Sequence, residues 1–195
     1  MFIVLIFTGL IVLVLKKADL VPAIILCQVS AIAIICYRLG MEVPLVVLAF
    51  AVKAFIVPLL LYYIIRKTIV TDRDDSAIPL SVLIALTLAL FVAAYLFDHQ
   101  LHAGPFATAA VFTALIGILC MTSRKTIVGQ LIGFIVLQNG IFAFTSSFCL
   151  KFSFAIELIL AFDVLFSVLI MVYAIQTIYK NLGSIDIKTF NSLRG

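Results

Sequence analysis

The chain alternates long apolar runs with short polar breaks, and the spacing of the breaks sets its architecture. Apolar segments cover Met1 to Leu15, Leu20 to Tyr37, Pro44 to Ile65, Ile78 to Phe97, Pro105 to Met121, Thr126 to the turn at Ser146, and Phe154 to Tyr179. None shows the strict two-residue alternation of a membrane strand, so helices remain as the way to satisfy the backbone in lipid. At about 1.5 Å per residue, about twenty apolar residues cross a hydrocarbon core of roughly 30 Å. The pattern predicts an all-α integral membrane protein of about seven transmembrane helices.

The breaks carry helix punctuation. The first segment has neither a basic n-region nor a small-residue cleavage site, and it reads as a short first helix rather than a removed leader. Pro22 falls in the first turn of the second, where its missing N–H has no partner to lose. In the third, Pro58 cannot donate to the carbonyl of Ala54, which predicts a helix kink beside Lys53. Asp75 or Ser76, at the end of the charged stretch RKTIVTDRDDS, is the expected cap of the fourth. The DHQLHAG break places His99 and His102 three apart, read as interfacial polar residues rather than a metal pair. In the sixth, Gly129 and Gly133 form a GxxxG pair with Gly140 further along, a strip for close helix packing.

Composition agrees with the pattern: of 195 residues, 66% are hydrophobic and only 11% charged, too little polar surface to enclose a soluble core. The net charge of +4 is loop charge, with no basic run interleaved with aromatics, so no nucleic-acid partner is expected. With seven crossings, Lys16, Lys17, Arg66, Lys67, Arg73, Arg124, Lys125, Lys180, Lys188 and Arg194 share one side, against Arg38 and Lys151 on the other. That bias puts the amino terminus outside and the C-terminal tail in the cytoplasm. The cysteines are scattered singly, and no glycine-rich nucleotide loop or metal-ligand cluster is present, so no cofactor is expected in this chain.

The polar residues that stand out inside the apolar runs are Lys53, Gln138, Asn139, Glu157 and Asp163. Lys53 lies about ten residues from each end of its helix, roughly 15 Å, too far to snorkel. Gln138 and Asp163 lie at a similar depth, and Glu157 about 9 Å nearer the outside. A mid-membrane charge costs about 2.5 to 3.5 kcal/mol, so Lys53 and Asp163 need partners. A static ion pair locking two helices and two stations of a lateral proton path are both open.

The residues at the carboxyl end carry a family resemblance. The segment RKTIVGQLIGFIVLQNGIFAF, followed by ELILAFDVLFSVLIMVYAIQTIYKN, resembles the hydrogenase-4 component E family of formate hydrogenlyase-type complexes, as does KAFIVP in the third helix. The last three helices are similar to the K chain of respiratory complex I. The resemblance divides the chain into a four-helix part, 1–103, and a K-chain-like part, 104–195.

The resemblance implies a non-redox subunit in the membrane arm of a complex I-like, hydrogenase-type complex of the bacterial inner membrane. Its partners would be antiporter-like and other membrane subunits, with peripheral redox subunits on the cytoplasmic side carrying iron–sulfur clusters and nickel–iron. Asp163 occupies the place of the acid in the last K-chain helix. The other acid falls on Ile135, or one turn later on Gln138, and both positions are uncharged here. Gln138 can order a water but cannot hold a proton, so Lys53, Asp163 and Glu157 remain as proton stations and Gln138 and Asn139 as polar bridges. The alternative is a scaffold with Lys53 and Asp163 as the lock. An independent transporter is disfavoured, because no repeated halves are visible.

Overall fold

The computed structural model describes residues 2–15, 20–38, 47, 50–67, 78–102, 104–148 and 154–182. Seven α-helices occur among them: α1 (Phe2–Val14), α2 (Val21–Arg38), α3 (Val57–Lys67), α4 (Leu80–Leu101), α5 (Pro105–Ser123), α6 (Ile127–Phe148) and α7 (Phe154–Leu182). A π-helical turn, Val52–Ile56, leads directly into α3. Five helices, α2 and α4 to α7, are long and apolar enough to cross a membrane, while α1 is a shorter apolar helix.

Packing centres on the α5–α6 hairpin. The chain reverses between Ser123 and Thr126, where Thr126 caps α6 by accepting from the Gly129 backbone N–H at 3.0 Å. Gly129 thus sits in the first turn of α6. Closer contact is made further along: a Cβ at Gly133 would stand 2.6 Å from the Met121 backbone nitrogen, and at Gly140 2.6 Å from the Ala114 Cα. Gly117 of α5 answers from the other side, where a Cβ would lie 2.6 Å from the Leu137 Cα. The two backbones meet through glycine, as tightly packed membrane helices do.

Around the hairpin, α1 and α4 pack on α5, α2 touches α1, α3 and α6, and α7 packs on α3 and α6. One core cluster joins Ile25 and Val29 of α2 with Leu61, Ile116, Leu131, Ile135 and Val168. A second joins Ile32 and Cys36 with Phe106, Ala110 and Ala143. Helix α4 stands at the margin, with Leu83 and Ala94 buried and Phe91 set edge-on to Phe112, ring centroids 5.4 Å apart.

The junctions differ in detail from the sequence pattern. The N-cap of α4 is Pro79, with no side-chain cap bond, rather than Asp75 or Ser76, which lie outside the described residues. Its C-cap, His102, is left-handed at φ 51°, and Gly104 at φ 96° takes a conformation that glycine adopts without Cβ strain. The polar breaks at Lys16–Lys17 and Gly40–Glu42, most of the charged loop, and the tail beyond Leu182 also lie outside the described residues.

Candidate functional site: a buried polar layer

Lys53 is 3% exposed, in the π-helical turn that precedes Pro58. Proline at 58 offers no N–H to the carbonyl of Ala54, and a π turn re-registers the backbone to i→i+5 at the point where the α-helical ladder would lose a bond. The helix therefore changes its winding at the residue that carries the charge. The lysine ammonium sits over the Phe142 ring of α6, Nζ 3.8 Å from the centroid. A cation on an aromatic face is worth about 2 kcal/mol when desolvated.

One turn back along α6, Asn139 is 2% exposed and donates through Nδ2 to the Oε1 of Gln28 at 3.1 Å. Gln28 is fully buried in α2, and its Nε2 has no hydrogen-bond partner among the described residues. Positions 139 and 142 are three apart, so the Asn139–Gln28 pair and the Lys53 ammonium contact the same face of α6 within one turn. Gln138, on the adjacent flank, is half-buried.

Asp163 is placed differently. It is exposed on the outer edge of α7 beside Phe162, itself 48% exposed, and no direct ion pair joins it to Lys53 among the described residues. The lysine is held by an aromatic face instead. Glu157 lies in the first turn of α7, and its side chain is outside the described residues.

Two features had weak signals in the sequence. Gln28 was the lone amide in an apolar run, and its partner is 111 residues away. Arg124, read as loop charge, is 5% exposed, and its Nη2 donates to the carbonyls of Val12 at 2.7 Å, Leu13 at 3.3 Å and Leu15 at 2.7 Å. It caps the carboxyl end of α1, where helical carbonyls lack N–H partners and the dipole favours a cation.

At the far end of α5, Thr108 donates to Asp98 Oδ2 at 2.7 Å, and the rings of His99 and His102 lie 6.0 Å apart. Among the described residues no three His, Cys, Asp or Glu side chains are grouped to hold a metal ion. What the layer offers is one buried ammonium and, at the protein's edge, one carboxylate, groups that can lose or gain a proton, together with a pair of amides that hydrogen-bond.

Comparison with known proteins follows the same direction. No family model matches the chain, and no solved structure matches it. Hydrogenase-4 component E of Escherichia coli strain K12, that of Escherichia coli O157:H7 and that of Shigella flexneri are each 28% identical to it over 154 residues, 75% of this chain and 71% of the relative. The chain is thus a multi-pass membrane protein, largely helical over its described residues and similar in sequence to hydrogenase-4 component E.

Proposed function

We propose that the chain is a non-redox membrane subunit of a hydrogenase-type complex and contributes Lys53 and Asp163 to a lateral proton path in a complex I-like membrane arm. The buried Lys53 ammonium carries this reading. A charge held deep in an apolar bundle on one aromatic ring is a poor way to stabilise a fold, and intramembrane ionisable groups mark ion and proton pathways. Lys53 releases a proton to intervening water, and Asp163 receives one at the outer edge of α7, so charge is conserved across the transfer. Asp163 then faces the next membrane subunit, antiporter-like or otherwise, while iron–sulfur clusters and nickel–iron belong to peripheral partners on the cytoplasmic side.

In this reading all seven helices cross a bacterial inner membrane, with the amino terminus outside. The Arg124 guanidinium supports a crossing by the short α1, because it supplies donors to carbonyls that lipid cannot satisfy. The scaffold reading, in which Lys53 and Asp163 lock two helices of this chain together, loses support from the missing direct pair between them.

The test is proton uptake by sealed vesicles carrying the assembled complex, with Asp163→Asn and Lys53→Met compared with the parent chain at equal assembly on native gels. The expected result is electron transfer retained with proton uptake lost. Loss of assembly in Asp163→Asn would point to the scaffold, and normal uptake in both variants would remove the proton-path assignment.

A further inference from the structure

The amide of Gln28 presents a problem of hydrogen-bond chemistry that the pairing with Asn139 does not solve. Its Oε1 accepts from Asn139, but its Nε2 is a buried donor with no acceptor among the described residues. Turning the Gln28 amide over by itself does not help, because it would set the Gln28 and Asn139 donors against each other. Close by on the same face of α6, Lys53 brings up to three more donors and, among the described residues, rests on an aromatic ring. Helix α2, which carries Gln28, packs directly against the π turn that carries Lys53. Two donor groups are therefore brought to the same side of α6, and the ring face is only a weak acceptor.

We infer that Gln28, Asn139 and Lys53 form an internal hydration site that holds at least one water, which accepts from Gln28 Nε2 and from Lys53 Nζ. The chemistry selects water. One oxygen has two lone pairs, enough for both donors, and two protons left to pass onward. Buried waters are held where two to four polar groups converge, and the three side chains supply that number.

The inference makes Gln28 a positioning residue for the lysine. It rests on side-chain geometry and not on the hydrogenase reading, which could fail while the hydration site stands.

Water-edited solid-state NMR of the full chain in lipid bilayers tests it directly, by following magnetisation from water protons to side-chain nitrogens. The expected result is fast transfer to Gln28 Nε2 and Lys53 Nζ, with the backbone amides of Ile25 and Ile32, in the same helix, staying dry. In Lys53→Met the transfer to Gln28 Nε2 should be lost, and in Gln28→Leu the transfer to Lys53 Nζ should fall. The second variant keeps the test valid if the first does not fold. Gln28 as dry as Ile25 in the parent chain overturns the inference, as it would if a chloride sat there instead. Transfer to Gln28 that survives Lys53→Met overturns the shared water.

Discussion

Substituting Gly133 by alanine should separate α5 from α6, and the size of the effect follows from the geometry. The added Cβ would lie 2.6 Å from the Met121 backbone nitrogen, 2.7 Å from its Cγ and 2.9 Å from the Gly117 carbonyl oxygen, where ordinary contact begins at 3.4 Å. The Met121 side chain can swing away, but the two backbone atoms can only move with their helix. The hairpin must therefore open by most of an ångström. A gap of that size forfeits a quarter to a half of the dispersion well at each contact, and overpacking of a close-fitted core costs about 1 to 3 kcal/mol. Alanine returns up to about 1 kcal/mol as the better helix former. With three contacts under 3.0 Å, two of them to backbone, the cost falls in the upper part of that range, so the net is a loss of about 1 to 2 kcal/mol, read as a lower midpoint in reversible unfolding with increasing dodecyl sulfate in mixed micelles. Gly9→Ala is the matched control. Its Cβ would sit 3.6 Å from Ile116 Cγ2, an ordinary contact, so only the helix-forming gain remains and stability should hold or rise. Equal midpoints for the Gly133→Ala and parent chains, or an equal fall in both variants, would refute the reasoning.

Arg124→Met keeps the stem and removes the guanidinium that serves the carbonyls of Val12, Leu13 and Leu15, and it should cost about 2 to 3 kcal/mol. Hydrogen exchange should then quicken in the last turn of α1 first, and unchanged protection there would argue against the cap. Asn139→Leu strips Gln28 of its remaining partner and should cost about 1 to 3 kcal/mol, whereas Gln28→Leu with Asn139→Leu should recover part of that loss. A double-mutant cycle with no coupling between the two would show that the amide pair contributes nothing.

Depth was legible in the sequence, because it depends only on counting along one helix. Lys53 was singled out that way, and it is buried in the π turn that leads into α3. Six of the seven runs give helices with ends shifted by a few residues, whereas the described part of the third is a π turn, Val52–Ile56, running into the short α3, and five helices are long and apolar enough to span. Facing was not legible. Helices α5 and α6 are apolar on every side, so no polar stripe tells which side is covered, and Gly117 looked unremarkable beside the GxxxG pair until Leu137 was placed against it. Gln28 escaped for the same reason, since an amide in an apolar run becomes informative once Asn139 lies opposite. Arg124 was counted correctly as a charge next to a helix end. That it turns inward to serve a different helix is a tertiary fact.

Asp163 shows how depth and facing divide. Its position in α7 was read from spacing, yet its neighbours on the outward edge, Phe166, Ile170 and Tyr173, are 58%, 67% and 73% exposed and recur at helical spacing. The aspartate belongs to that stripe. Turned to lipid, its carboxylate costs about 2.5 to 3.5 kcal/mol, a large part of the stability of a domain of this size. A protein surface with a donor removes that cost, so the stripe is expected to meet the proposed membrane partner. A fluorescent label on Phe166→Cys measures this without touching the carboxylate. In the isolated chain a lipid-soluble quencher should reach the label freely, and in the assembled complex the label should be shielded. If quenching is equal in both, α7 faces lipid, the carboxylate has no protein to receive it, and a proton passed from Lys53 to Asp163 would have nowhere to go.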